Sequence, residues 1–417
     1  MAAERFPPIR GSNIMTSIIQ GWCCVLICAV SIVPMSAQQV RKTMLRLPDT
    51  GQTGDYSTVP GEDADHPSMP MGFVPMGAVV RDTVTGLMWQ RGDGGEMTWA
   101  QAKRYCDTLT LGGFTDWRLP SGHEAFSIHE LSHGNPALPD VFERTQAEYW
   151  WSSDTLKTDG RRIWCTNAGG GIGPHPMTET ISAGGTKRFH VRAVRDVTQP
   201  MMIPSQFTEN TDETIIDHLT ERTWMQFCVP GTYTWEQSLR IADTLSHGGY
   251  NDWRLPNIKE LQSLSIRSMT TPTFDIRYFP CIMPTGSYWS STTLVNKTLT
   301  QAWLMQTDLG IATYAEKSTK QGVILVRGGD RLVSVDDEQR ASADGDGGFI
   351  AFPNPTYSLV HVGMTYESVR VFTSTGVEVL TATSADVIDL SNLASGVYLI
   401  TCSTSQRRTN TFTVRKY

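Results

Sequence analysis

The stretch Asp116-Trp117-Arg118-Leu119-Pro120 returns unchanged as Asp252-Trp253-Arg254-Leu255-Pro256, 136 positions further along a chain of 417 residues. Five identical residues in a row, Trp among them, mark an internal duplication. The surroundings repeat in the same order. Thr98-Trp99 and Thr234-Trp235 come before, Gly112-Gly113 and Gly248-Gly249 lie between, and Trp151-Ser152-Ser153 and Trp289-Ser290-Ser291 follow. The chain therefore reads as two copies of one module, residues 76–196 and 210–328. Each spans about 120 residues, an ordinary domain size.

Each module opens with two β-prone runs around a turn, Val79 to Trp89 in the first copy and Ile215 to Trp224 in the second. Glu221 stands where the first copy has Gly86. If that turn needs a positive φ, the second copy carries strain there. A helix follows. Thr98 with Gln101, and Thr234 with Gln237, fit capping boxes, in which the hydroxyl and the amide each satisfy a free backbone N–H. Trp99, Ala102, Cys106 and Leu109 share one face, as do Trp235, Leu239, Ala242 and Leu245. The glycine pairs read as helix ends. Past the proline, Ser121 with Glu124 and Asn257 with Glu260 start a second short helix by the same capping logic. Strands then run in a meander through Trp150-Trp151 and Tyr288-Trp289, Trp164 and Trp303, and close on Val191–Arg195 and Val323–Arg327.

The motif residues read as structure. Trp89, Trp99, Trp117, Trp151 and Trp164 are kept in the second copy, where Trp224, Trp235 and Trp253 answer the first three, and all are expected in the core. Arg118 and Arg254 either pair with Asp116 and Asp252 or stack on a ring. Trp150 and Tyr288 point to the opposite strand face from the kept Trp. They are the candidate ligand-binding residues, because aromatic faces stack on sugar rings.

Outside the modules, Arg5 and Arg10 precede an apolar run, Ile14–Val33, and Pro34-Met35-Ser36-Ala37 resembles a cleavage site. Residues 1–37 read as a signal peptide, with an uncleaved anchor as the alternative. Removal takes the net charge from −7 to −8 and leaves no apolar span. This balance gives no footprint for nucleic acid. Residues 38–75, rich in Pro, Gly and Met, read as a flexible lead-in. Residues 329–348 form a polar linker, whose Asp344 and Asp346 lack the terminal Glu of a calcium loop. Residues 349–417 carry short Val-rich strands and read as a small all-β sandwich. The fold class is α+β, with two modules ahead of that sandwich.

No catalytic constellation, metal set or cofactor motif emerges. His129 and His133 have helical spacing, but no third ligand can be named. An oxidising destination favours disulfides. Cys106 and Cys165 are both missing from copy two, while Cys228 and Cys281 have no counterparts in copy one. The expected bonds are Cys106–Cys165 and Cys228–Cys281, with buried thiols as the alternative. Cys402 is left over.

These residues carry two resemblances. The hairpin (Asp82, Thr85-Gly86-Leu87, Trp89), Thr98-Trp99, Gly112-Gly113, Asp116 to Pro120, Trp151-Ser152-Ser153 and Val194-Arg195 resemble the DUF1566 family, the Legionella collagen-like protein C-terminal domain. Arg-Leu-Pro followed by Glu is also similar to formylglycine-generating sulfatase-modifying domains, which implies a C-type-lectin-like fold but carries no cysteine pair over. Ala193 and Leu325 stand where family members often have Cys. The tail, in Phe352 to Pro355, Val369–Phe372 with Thr375-Gly376, Leu390-Ser391 through Leu399, and Arg415-Lys416, resembles a type IX secretion C-terminal sorting domain. That implies the type IX secretion machinery as partner through residues 349–417, a secreted or outer-membrane cell-surface location, and a Bacteroidota-type source. The function expected is an exported binding or adhesion protein for a glycan or matrix protein. An extracellular enzyme and a structural surface protein are the alternatives.

Overall fold

The computed structural model describes residues 39–180, 188–328, 351–352, 359–373, 377–394, 396–403 and 409–416. The expected signal peptide and linker lie outside the described residues. Among them the fold is mostly β, in several sheets, with four short α-helices. No helix among them is long and apolar enough to cross a membrane.

The repeated sequence folds twice in the same way. In module one, strands Phe73–Met76, Val79–Asp82, Leu87–Gln90 and Val194–Asp196 form a sheet in that order. In module two, Phe207–Glu209, Thr214–Asp217, Arg222–Met225 and Val326–Arg327 do the same. The turn between the second and third strands takes φ of 72° at Gly86 and 61° at Glu221. The second copy thus holds a side chain where L residues are disfavoured.

Helix α1 (Trp99–Thr108) and α2 (Gly122–Ser127) belong to module one; α3 (Trp235–Thr244) and α4 (Ile258–Ser263) to module two. All four start on capping boxes. α1 and α3 stop at Thr108 and Thr244, because Leu109 and Leu245 turn extended. The glycine pairs come later, in the tight turns bridged by Leu111 with Phe114 and His247 with Tyr250.

The repeated pentapeptide is the hub of each module. Trp117 and Trp253 are buried and donate to the carbonyls of Leu111 and His247. The Arg does not pair with its neighbouring Asp. Arg118 reaches Glu124 with two bonds of 2.7 and 2.8 Å, and Arg254 reaches Glu260 with two of 2.7 Å. The neighbouring Asp instead takes the last strand's arginine: Asp116 pairs with Arg195 and Asp252 with Arg327. Those two arginines also do the stacking, over Phe114 and Tyr250.

The modules share one sheet. The order is Phe189–His190, Tyr149–Leu156, Asp159–Asn167 and Ile172–Pro176 from module one. Ala312–Glu316, Gln301–Gln306, Ser287–Thr293, Gln321–Val323 and Val229–Tyr233 from module two continue it. The join pairs the equivalent edge strands antiparallel at Ile172 and Ala312, so the two copies meet with a two-fold-like relation. A core crosses the join, with Phe126, Leu131, Trp164 and Ile172 from one copy against Ile258 and Trp303 from the other. The tail forms a five-stranded antiparallel sheet over Val360, Val369, Val371, Ile388, Ile400 and Val414.

The lead-in is not flexible. Val40–Lys42 pairs with Met201–Ile203, and Leu47, Asp49, Thr50, Gln52 and Asp63 are buried. The Gln52 amide donates to Leu131 O (2.9 Å) and Thr293 O (2.5 Å) and accepts from Thr293 N (3.1 Å), touching both modules. Asp63 accepts from Thr50 and Thr292 at 2.8 and 2.6 Å, and burial followed by the Asp49 charge pushes its carboxyl up. Between its two end strands the segment has no periodicity, because side chains such as Asp49, Ser57, Glu62 and Asp65 bond many of its backbone N–H groups.

One disulfide is present among the described residues, Cys228–Cys281, with Cα atoms 5.5 Å apart. Cys106 and Cys165 are free and buried, which corrects the expected second bond. They share one core, as Ala242 and Leu304 do in module two. Their joint replacement is a trade of packing volume, not of a bond. Burial, then Asp107, pushes Cys106 up to about 12, and burial raises Cys165 well above the usual thiol range. Alkylation of native protein should leave both unmodified, since the thiolate is the reactive form. Under non-reducing denaturation both should label, and Cys228 and Cys281 should not. A Cys106–Cys165 linked peptide would refute this.

Candidate functional site

Helices α2 and α4 face each other where the modules meet, and between them opens a cavity of about 420 Å³, within the range of small-molecule sites. Its apolar wall includes Met44 and Leu47 from the lead-in, Phe126 from α2, and Leu219 and Ile266 from module two. The lead-in strand pairing places the first two, and the capping box on Ser121 fixes where α2 begins.

The polar groups come from the positions where the copies differ. His123 and Lys259 occupy the same place, two residues past the helix cap. His123 Nε2 lies 3.2 Å from the Gln262 carbonyl across the join. Burial, then the nearby Arg267 charge, pushes His123 down to about 3, so the ring is neutral. Lys259 forms the floor. Its Nζ donates to Asp49 O and Ser127 O, both at 2.7 Å, and burial lowers it to about 8. Arg267 lies 3.9 Å over the Trp164 ring, and its Nη1 donates to Ser265 and the Gly310 carbonyl. Burial lowers it to about 10, so it stays charged at neutral pH. Its Nε and Nη2 are buried without a partner among the described residues. Asp154 accepts from the Gly122 N–H at 2.7 Å, and burial raises its carboxyl. A Cβ on Gly122 would sit 3.1 Å from that carboxylate, close enough that the carboxylate would have to shift.

The cavity can hold a ligand against apolar walls with a fixed cation to one side. The His123 ring there is engaged by a backbone carbonyl.

The residues singled out from sequence lie elsewhere. Trp150 and Tyr288 are 7% and 2% exposed, so neither is a surface platform. Their strands are interior to the nine-stranded sheet, covered on both faces. Trp150 packs with Ala147 and Ala168, and the Tyr288 hydroxyl donates to the Cys281 carbonyl. Trp89, Trp224 and Trp235 are fully buried. His129, which has helical spacing to His133, is 1% exposed, with its ring edge-on to Phe126. His123, Asp154, Lys259 and Arg267 were missed. The signal for two of them was the divergence between copies directly after an otherwise repeated cap.

Comparison with known proteins adds the family. Residues 350–415 match the secretion system C-terminal sorting domain, and the protein is secreted or attached to the cell surface. One similar solved structure is PorZ, described as an essential bacterial surface component of the type-IX secretion system of Porphyromonas gingivalis. It shares 12% identity at a TM-score of 0.15, covering 84% of this chain and 39% of that one. The chain thus spans well under half of PorZ's length. No curated protein matches. Residues 78–195 and 213–327, together more than half of the length, match the Lcl C-terminal domain, and the chain belongs to that family.

Proposed function

We propose that this exported protein is a binding protein whose ligand enters the cavity between α2 and α4. The observation that supports this is the convergence of both modules and the lead-in on one recess with apolar walls and an incompletely bonded Arg267. A glycan or a matrix-protein segment remains the ligand class, taken up by this recess rather than by an aromatic surface. The C-type-lectin-like reading of each module, two helices against a meander, belongs to the same proposal. Substituting Ile266 by Trp fills the cavity without touching either buried ion-pair network. Full-length protein should give hits on a glycan and matrix-protein array that Ile266→Trp loses while its melting temperature stays within a few degrees. Ligands that bind both forms equally would overturn the reading.

We propose also that residues 1–37 are removed on export and the tail from about residue 349 on delivery. Intact-mass spectrometry of protein recovered from the producing cells' surface or medium should show both losses. A mass retaining either segment refutes that part.

A further inference from the structure

We propose that module one encloses a single halide ion, chloride in ordinary salt, in a cavity walled by Trp89, His129, Trp150 and Arg192. The cavity is about 10 Å³, room for one small guest. It lies apart from the recess between the helices and does not depend on it.

The wall is rich in donors that have nothing to donate to. Trp89 Nε1, Trp150 Nε1 and both Nε and Nη2 of Arg192 are buried without a partner among the described residues. Trp89, Trp150 and Arg192 are 0%, 7% and 2% exposed, so bulk water does not supply the missing bonds. Arg192 is held in place by its other nitrogen, Nη1, which donates to Gln90 O at 3.0 Å and Arg91 O at 2.6 Å. Its guanidinium lies over the Phe142 and Trp150 rings, 4.9 and 5.7 Å from their centroids. Among the described residues no carboxylate pairs with it. Asp93 is engaged by His190 and Thr145, and Asp93 and Glu143 act on Arg192 only through space.

A buried cation without a counter-charge is costly, and each buried N–H left unbonded adds to that cost. A water molecule has two lone pairs and would answer two of the four nitrogens. A halide can accept from more than two donors at once and supplies the negative charge. His129 is neutral, since burial pushes it down to about 3 with Lys259 acting in the same direction, and its ring bonds the Gly170 backbone. Its Nδ1, also unpartnered, donates only if that bond is given up, so the indoles and the guanidinium hold the ion. In module two the cation and one indole are lost together: Ile324 replaces Arg192 and Tyr288 replaces Trp150, both buried.

The test uses the full chain at constant ionic strength, with sodium chloride or bromide replacing sodium gluconate, an anion too large for the cavity. The melting temperature should rise with halide concentration and saturate. Trp150→Phe keeps the ring and removes one N–H. It should move the half-saturation point about tenfold higher, as expected for losing one hydrogen bond to a charged group. Crystals grown in bromide should show an anomalous peak within bonding distance of Arg192 Nε and Trp150 Nε1. The parent protein alone gives that result, so it stands even if the variant fails to fold. A halide-independent melting curve, or a cavity whose density carries no anomalous signal, overturns the proposal.

Discussion

Glu260→Gln will lower the stability of the protein by about 3–5 kcal/mol, the usual loss when one partner of a buried ion pair is removed. For a folded unit of this size, that moves the melting temperature by on the order of 10 °C. Glu260 is completely buried and carries two guanidiniums. Arg254 binds it twice at 2.7 Å, and Arg222 donates to Oε1 at 2.7 Å. Both arginines are themselves buried. Glutamine keeps the shape but leaves two cations facing one neutral oxygen. Glu124→Gln should cost less than half as much. Arg118 is 30% exposed and keeps a second carboxylate, Asp196. The two variants thus test whether burial or the motif sets the loss, and equal losses would refute this account.

The same pair predicts the acid limb. Burial alone would raise the Glu260 carboxyl, but Arg254 and then Arg222 overcome it and hold it at about 2. An unfolded glutamate titrates near pH 4.3. The folded form therefore binds fewer protons between those values, so this contribution is present above about pH 4.3 and is lost as pH falls toward 2. Glu260→Gln should flatten stability against pH in that window and leave the curve above it parallel to the parent's.

Much of the module was readable because the duplication supplied a second witness to each element. The hairpins and the four capped helices sit where the paired sequences place them, and the kept Trp are buried except Trp99, which is half-buried. The strain at Glu221 followed from its alignment with Gly86, and its φ of 61° agrees. What failed depended on through-space partners. Arg118 has an acid two residues away in sequence, but Glu124 and Asp196 take its guanidinium while Asp116 takes Arg195. Trp150 and Tyr288 alternate away from a core Trp, yet each is covered by residues of its own module, Ala147 and Ala168 over Trp150 and the stretch 279–283 beside Tyr288. The shared sheet itself left little trace, since the pairing strands at Ile172 and Ala312 are short and follow ordinary loops. The recess was hidden for a related reason. Its residues come from two modules and a segment with no pattern, and only the His123 and Lys259 difference marked it.

Gln52→Ala will cost about 3 kcal/mol, although the residue lies in the segment that composition alone marks as loose. Its amide is 3% exposed and bonds Leu131 O in one module and both backbone groups of Thr293 in the other. Alanine leaves three buried backbone groups unmet. Each carries a penalty of roughly 1–3 kcal/mol, reduced wherever water can enter the space left behind. The loss falls on the join, because these bonds and the buried Asp63 contacts with Thr50 and Thr292 tie the segment across it. Urea unfolding should therefore change in shape as well as midpoint, with the single parent transition broadening as the modules begin to separate. Val74→Ala, in the same segment but 47% exposed, is the control and should stay within about 0.5 kcal/mol, as surface changes do. If Gln52→Ala behaves like Val74→Ala, the segment is a passive tether. A larger loss with a broadened transition means that this unpatterned stretch holds the two copies in register, and that the recess beside it exists only while it does.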